Sequence, residues 1–466
     1  MKILFIFPNN QKNNWRIPIG IAYLISIIKN AGHDIVFYDS TYEGKEDSNL
    51  YLKIKYFQPQ LVCISVMSTN FSLGLRMAEI IKKLNQKIKI IFGGIHATIA
   101  PHSLLSNENI DYICVGEGEI SILKFLKELE RNNFQYNGGI AGIWYKDNAE
   151  IKENGVSELL LDLDTLPFPG REYFDKRHII IPEHGSPILS ARGCPFICSY
   201  CVNPIYKKFY GRDYIRFRSV SNVISEMKEM FISYQIDSFF VQDETFFMNK
   251  KRVLEFCKIY KSEINLPFRC MGQASQIDEE ILVNLKEAGC AGISIGIESG
   301  NSKIRKEILK RDLTDEQLIK VFLTARKLGI ATHSFNIIGL PAETEKNIEE
   351  TLNLNLKCKP TSIQFTIMTP FEGTEIRDIY LKNNWIKKEN VNSVYGETMI
   401  ETDTINSKRL LYLQKVLPYK YFFSNKYLLK MLSIIFIKIN FKNRVLNLIK
   451  KNIINFLNDQ VRILKK

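Results

Sequence analysis

The run Ser190-Ala-Arg-Gly-Cys-Pro-Phe-Ile-Cys-Ser-Tyr-Cys-Val-Asn203 sets Cys194, Cys198 and Cys201 at C-x3-C-x2-C spacing, with Tyr200 just before the third. Thiolates are soft ligands, and a short loop brings them onto neighbouring irons at little ordering cost. Three ligands are one short of a closed four-cysteine set, so a 4Fe-4S cluster held this way keeps one iron open for chemistry. A zinc site, a disulfide framework and chance spacing are the other readings. Zinc sites usually show two Cys/His pairs, and no second C-x2-C or H-x3-H accompanies Cys198 and Cys201. No secretory signal precedes the cysteines, which counts against disulfides.

Positioning such a loop takes elements on both sides of it. Pro187–Ser190 reads as a strand leading into the cysteines, and Ser238–Val241, Phe268–Met271, Gly292–Ile297, Phe335–Ile338 and Ile363–Met368 follow as further strands. Helical patterns separate them, as with Ile281, Leu282, Leu285 and Ala288, stopped by Gly289. Six βα units predict an incomplete barrel, whose chemistry sits at the carboxyl ends of its strands. The cysteine loop, Asp243 and Glu244, Glu298-Ser-Gly300 and Gly339-Leu-Pro341 all fall at such ends. Cys257, Cys270, Cys290 and Cys358 sit in apolar surroundings and read as core thiols.

A second alternating series precedes this one. Ile3–Phe7, Ile35–Tyr38, Leu61–Val66, Ile88–Phe92 and Tyr112–Val115 are short buried runs. Between them lie helical repeats: Ile19–Lys29, then Leu73, Met77, Ile80, Ile81 and Leu84, and then Ile120, Leu123 and Leu126. Five strands alternating with helices predict a doubly wound parallel sheet, which takes ligands at its carboxyl edge. The loops there are Pro8–Trp15, Met67–Asn70 and Gly93-Gly-Ile-His-Ala-Thr98. Gly93 and Gly94 allow a ligand close to the backbone, or make a tight turn. The expected layout is α/β throughout: residues 1–135 as the first sheet, 136–185 as a Pro-rich and Gly-rich linker, 186–395 as the partial barrel, and 396–466 as a basic helical region.

The 466 residues, 45% hydrophobic and 24% charged, suit a globular chain of two or three domains. Nine cysteines without regular spacing and no signal peptide point to a reducing cytoplasm. Residues 404–466 carry fourteen Lys and Arg against one acid, Asp459, so the whole formal charge of +13 resides there. Lys426, Lys430, Lys438 and Lys442 share one helical stripe, with Tyr419, Tyr421, Phe422 and Phe423 placed before that helix. A basic amphipathic helix of this kind can lie at the inner face of a membrane, or pack on the barrel with a solvated basic face. Nucleic acid is the weaker partner, because the tail has no recognisable fold for it.

The cysteine run resembles the signature of the radical S-adenosylmethionine (SAM) enzymes. The match extends to Gln242-Asp-Glu244, Gly296-Ile-Glu-Ser-Gly300, Lys310-Arg311, Phe335-Asn-Ile-Ile-Gly-Leu-Pro341 and Thr369-Pro-Phe-Glu-Gly-Thr374, where Glu372 replaces the usual proline. The first 135 residues resemble the cobalamin-binding domain fused in front of many such enzymes. There the matches are Pro18-Ile-Gly-Ile-Ala-Tyr-Leu24, Ala31-Gly-His33, Ser65, Gly93-Gly94 with His96-Ala-Thr98, and Val115-Gly-Glu-Gly-Glu119. The Asp-x-His-x-x-Gly sequence that supplies a cobalt ligand in cobalamin mutases is absent, which implies cobalamin bound without a protein histidine on cobalt. The resemblance implies SAM contacts from Tyr200, Asp243, Glu244, Gly296, Glu298, Ser299, Arg311 and Gly339. It implies cobalamin contacts from Ser65, Thr69, Gly93, Gly94, His96 and Glu117.

The activity so implied is methyl transfer to an unactivated carbon or to phosphorus. One SAM supplies the methyl to cobalamin, and a second yields the 5′-deoxyadenosyl radical that takes hydrogen from a small or lipid-like substrate. An electron donor of the flavodoxin or ferredoxin type is implied as partner. The alternatives are a radical cyclase or oxidoreductase in which cobalamin donates no methyl, and a front domain that only docks a partner.

Overall fold

The computed structural model describes residues 1–9, 17–43, 47–147, 150–182 and 184–424. The lysine stripe of the basic tail and most of the Pro8–Trp15 loop lie outside the described residues. Among the described residues no helix is long and apolar enough to cross a membrane.

The first sheet has strands β1 (Lys2–Phe7), β2 (Asp34–Asp39), β3 (Leu61–Ser65), β4 (Lys89–Gly93), β5 (Tyr112–Cys114), β6 (Ile143–Asp147) and β7 (Glu150–Lys152). Their order is β2-β1-β3-β4-β5-β6-β7. The first five are parallel, and the reversal between β1 and β3 is the switch point where such sheets bind ligands. All residues of β1 from Ile3 to Phe7 are buried, as in a strand covered on both faces. The sheet corrects one expectation: β6 and β7 come from the stretch read as linker and pair antiparallel at its edge, making it mixed and seven-stranded. They go unread because each is short and only Ile143 and Trp144 are buried.

The second sheet contains β8 (Ser186–Ile188), β11 (Phe239–Val241), β12 (Phe268–Gly272), β13 (Cys290–Glu298), β14 (Ala331–Ile338) and β15 (Ser362–Ile367). All pairs are parallel and follow chain order, and among the described residues β8 and β15 are the sheet's edges, so the barrel is open there. A separate ribbon joins β9 (Ala191–Arg192) to β10 (Arg216–Phe217). Cys257, Cys270, Cys290 and Cys358 are buried, as expected.

The aromatics around Pro418 also differ from expectation. They belong to a helix, Ser407–Ser424, that contains Pro418 and lies on β15. Tyr421 is buried there and donates to the Pro360 carbonyl at 2.6 Å. The stretch between the sheets is equally well packed. Leu163, Leu166, Phe174 and Ile179 belong to one continuous hydrophobic cluster holding Ile3, Phe5 and Ile25 on one side and Ile188, Val223 and Phe239 on the other.

Candidate active site

Each half of the chain presents its strand ends to the other. Arg192, at the start of the cysteine loop, contacts Glu117 in the loop after β5 and Glu119 at the start of the helix that follows, at 2.7 Å each. Arg216 closes on the same Glu117 and donates to the Leu160 carbonyl at 2.7 Å. These groups are largely buried, so the network fixes the two carboxyl edges face to face.

The cysteine loop is fastened on several sides. Gly193 has φ +91°, and a Cβ there would lie 2.4 Å from the Tyr214 carbonyl, so only glycine fits. Lys207 Nζ donates to the Pro195 carbonyl at 2.9 Å, and the Ile376 N–H reaches the Ser199 carbonyl at 3.1 Å. Asp243 accepts from Ser190 N at 2.7 Å, Ser190 Oγ at 2.5 Å and Ala191 N at 3.1 Å. It is fully buried, and that burial pushes its carboxyl up while the Ser190 donors pull it down. Asp243 therefore pins the strand that delivers the cysteines.

Cys194, Cys198 and Cys201 line one cavity of about 190 Å³ with Tyr200, Glu244, Gly296, Glu298 and Arg311. Phe196, Met271 and Phe335 supply apolar wall, and Thr245, Gln273 and Ser294 supply neutral polar wall. Among the described residues no three His, Cys, Asp or Glu side chains converge as they would around a single ion. Three thiols spread around a volume fit a cluster, where each thiolate takes its own iron. Burial pushes the Cys194 thiol up to about 12 and raises Cys201 as well, so metal loading releases protons.

Glu298 shows how the barrel rim is shaped for this cavity. The β13–β14 register shifts between Gly296 and Glu298, and Glu298 takes φ +64°. Such a bulge re-aims a side chain at the cost of local strain. The carboxylate folds back over Gly296, where a Cβ would sit 2.1 Å from Oε1. It accepts from Tyr200 Oη at 3.1 Å and faces Arg311 Nη1 at 3.8 Å. Arg311 also donates to the Gly296 carbonyl at 3.0 Å. Glu244 differs: among the described residues no side chain pairs with it, and it opens only onto the cavity. It is exposed where Asp243 is buried, and the cavity walls around it raise its carboxyl above the ordinary range.

Two further residues expected at SAM lie behind this wall. Ser299 is fully buried, and its carbonyl accepts from Arg305 Nη1 at 2.8 Å. Gly339 faces Ile400 and Leu410 and donates its N–H to Glu343 Oε2 at 2.6 Å. With Asp243 they shape the rim rather than line the cavity.

A cleft of about 60 Å³ opens at the carboxyl edge of the first sheet, lined by Ser65, Gly93, Gly94 and Gly118 with Phe5, Leu24, Cys63, Cys114 and Ile122 among its apolar walls. A Cβ on Gly93 would meet only Cys114 Cβ, at 3.9 Å, so bare backbone faces open space. Gly94 has φ +91°, and a Cβ there would lie 2.7 Å from the Val66 carbonyl. This glycine cradle beside aliphatic walls fits one edge of a large flat cofactor. Thr69, His96 and Glu117 do not line it. Glu117 is held by the two arginines. His96 stacks on Phe71 at 4.1 Å and faces a separate small pocket with Ser68 and Arg377, and burial lowers it to about 4.

The helix Asn203–Tyr210 bridges the two cavities. It starts just after Cys201, and the ring of its Tyr206 stacks on Tyr214 at 5.6 Å and 14°. The Tyr206 hydroxyl reaches Thr98 at the first sheet's edge. Tyr210 fits against Gly116, where any Cβ would lie 2.1 Å from its hydroxyl. The sequence hides this helix because its tyrosines carry no metal-ligand or cofactor spacing. Arg192 and Arg216 escape notice because their partner is distant in the chain.

Comparison with known proteins agrees with this geometry. The radical SAM superfamily model matches residues 188–354, and the B12 binding domain model matches residues 16–125. An uncharacterized methyltransferase of Pyrococcus horikoshii is 29% identical over 397 residues, 82% of this chain and 84% of its own. An anaerobic magnesium-protoporphyrin IX monomethyl ester cyclase of Rubrivivax gelatinosus is 27% identical, covering 81% of this chain and 69% of its own. The cytidylyl-2-hydroxyethylphosphonate methyltransferase of Streptomyces wedmorensis is 25% identical, covering 80% and 79%. Among solved structures, the radical SAM methyltransferase TsrM of Kitasatospora setae, with cobalamin and a [4Fe-4S] cluster bound, superposes with TM-score 0.68. It is 17% identical and covers 83% of this chain and 76% of its own. Two open sheets meeting at their carboxyl edges, three thiols in one cavity, a glycine cradle in the other and a family match on each side lead to one assignment: the chain belongs to the radical SAM proteins that carry a B12-binding domain in front.

Proposed function

We propose that the chain is a cobalamin-dependent radical SAM methyltransferase acting on an unactivated carbon of a small organic substrate. The observation that carries this reading is the meeting of the two carboxyl edges, where Arg192 and Arg216 hold Glu117 and the helix Asn203–Tyr210 runs from the cysteine cavity to Gly116 of the first sheet's edge. A radical made at one site and a methyl held at the other must meet on one substrate atom, and this layout gives them a shared space. Two of the relatives described above are methyltransferases by name.

When bound, the cluster supplies the electron that breaks SAM's sulfonium bond, and cobalamin supplies a methyl that can be transferred homolytically. Cys194, Cys198 and Cys201 would hold the cluster and leave one iron for SAM's amino and carboxylate groups. Glu244, the carboxylate without a side-chain partner in the cavity, is placed to accept from an N–H of SAM's amino group. Glu298, Tyr200 and Arg311 hold one another and present a fixed polar wall, while Phe196, Met271 and Phe335 exclude water from a reactive radical. Ser65, Gly93, Gly94 and Gly118 would receive the cobalamin edge. A one-electron donor protein is the partner this chemistry requires.

The test is anaerobic reconstitution with iron, sulfide and hydroxocobalamin. Wild type should bind a cluster and one cobalamin and, given SAM and a one-electron reductant such as dithionite, release 5′-deoxyadenosine. Exchange of all three cysteines for Ala should remove iron and that product while leaving cobalamin bound. A triple variant that keeps about four irons per chain would sink the cluster assignment. The cyclase relative supports ring formation as a second reading. Product mass separates the two, since methyl transfer adds one CH2 and cyclisation does not.

A further inference from the structure

The helix after the cysteines does more than connect two cavities. Its first residue, Asn203, turns two donors onto one cluster ligand: the backbone N–H lies 3.5 Å from Cys201 Sγ and Nδ2 lies 3.4 Å from it. A main-chain N–H on sulfur is a common product of a turn. A side-chain amide on the same sulfur is a separate device, because its direction must be chosen. Here the choice is made by Tyr214, whose hydroxyl donates to Asn203 Oδ1. Reversing the amide would point its oxygen at the sulfur and lose that donor, while Tyr214 Oη would then accept from the NH2, so the amide donates to the sulfur only when Tyr214 is the donor to Oδ1.

Tyr214 is buried, and its ring stacks on Tyr206. Tyr206 reaches Thr98. Thr98 Oγ1 in turn donates to the Gly94 carbonyl at 3.1 Å and accepts from the Gly116 N–H at 3.0 Å. Gly94 lines the glycine cradle. A continuous chain of contacts therefore runs from the cradle floor through Thr98, Tyr206, Tyr214 and Asn203 to Cys201.

We propose that Asn203 tunes the reduction potential of the cluster held at Cys194, Cys198 and Cys201, and that the Tyr214–Tyr206 stack makes this tuning depend on the B12-binding domain. The proposal rests on the cluster reading above. Reduction adds one electron and no proton to the cluster, so the reduced form carries more negative charge on its sulfurs. Donors aimed at a ligand sulfur stabilise that form and raise the potential. Asn203 is thus a positioning and tuning residue that acts through Cys201 Sγ from the wall of the cysteine cavity.

The experiment is an EPR-monitored redox titration of anaerobically reconstituted full-length protein without SAM, with iron per chain measured on every sample. Asn203→Ala should shift the midpoint to lower potential at unchanged iron content. Tyr214→Phe, which removes one hydroxyl and leaves the Asn203 backbone in place, should shift it the same way by less. Phe209→Ala, exposed on the same helix, should leave it where it is. Wild-type protein with and without hydroxocobalamin should differ in midpoint, the two paramagnets being separated by temperature, and Tyr206→Phe should shrink that difference. Midpoints of Asn203→Ala and Tyr214→Phe equal to wild type, with iron retained, overturn the tuning role. If Asn203→Ala loses its iron, the Tyr214→Phe midpoint decides alone. A wild-type midpoint indifferent to hydroxocobalamin overturns the link between domains. Failure of wild type to hold a cluster refutes the cluster reading itself, a different result from any of these.

Discussion

Adjacent carboxylates with opposite duties make the sharpest test of the site. Asp243 accepts three hydrogen bonds from Ser190 and Ala191, whereas Glu244 opens into the cavity without a side-chain partner. In Asp243→Asn, the amide oxygen can keep the two backbone donors, but its NH2 must face Ser190 Oγ, which already accepts from Arg252 Nη1 at 3.2 Å. One bond to a carboxylate is lost and two are weakened. With such bonds worth roughly 1.5–3 kcal/mol each and neutral ones about 1, the net loss is about 3 kcal/mol. It falls on the strand that feeds the cysteines. Asp243→Asn should therefore lower the urea midpoint of the unloaded chain and reduce iron per chain after reconstitution. SAM affinity per assembled cluster should stay near wild type. Glu244→Gln should do the reverse, with iron and stability kept and SAM affinity down at least about tenfold, the equivalent of 1.4 kcal/mol. An Asp243→Asn protein with wild-type midpoint and iron but weakened SAM binding would refute this division and put Asp243 on the ligand.

The other predictions concern the rim and the cradle. Burial pushes Glu343 up to about 8 from an ordinary 4.5, so the folded chain binds a proton there that the unfolded chain releases. Its contribution to stability is full below about pH 4.5 and is lost as pH rises toward 8. Glu343→Gln should abolish that loss, seen as a variant-minus-wild-type urea midpoint that grows from pH 5 to pH 8; a constant difference would refute it. Gly94→Ala should cost about 2–4 kcal/mol through positive φ and the clash with Val66, while Gly93→Ala should leave stability intact. Gly93→Val should nevertheless lower cobalamin retained after desalting, because only open space receives its side chain. Glu117→Gln strips a buried partner from Arg192 and Arg216 and should destabilise by roughly 3 kcal/mol. Limited proteolysis should then cut between the halves of the chain sooner than in wild type.

The sequence was most readable where chemistry imposes spacing. The cysteines, Tyr200, Glu244, Gly296, Glu298 and Arg311 converge in one cavity, and Ser65, Gly93 and Gly94 in another, because strand ends and glycine turns are local signals. Asp243 was legible as a rim residue but its direction was not, since neighbours on a strand point to opposite faces and a bend decides which one meets the ligand. His96 and Glu117 lie outside the glycine cradle for a related reason. Each stands in a ligand-bearing loop, yet Phe71 and the distant Arg192 and Arg216 claim their side chains. The β6–β7 pair was missed because short, half-exposed strands lack an apolar pattern.

The apolar seam through Leu163, Leu166, Phe174 and Ile179 bears on how this enzyme can be taken apart. Those side chains are shared property: they sit in one cluster with residues of the front half and of the back. A fragment cut at either end of the seam would carry a sticky, half-dressed surface, prone to clumping during expression. Dissection by truncation would then report on solubility instead of cofactor traffic, and heating should melt both halves in a single step. Point substitutions at the two cradles are the cleaner scalpel, because they leave this shared lining whole.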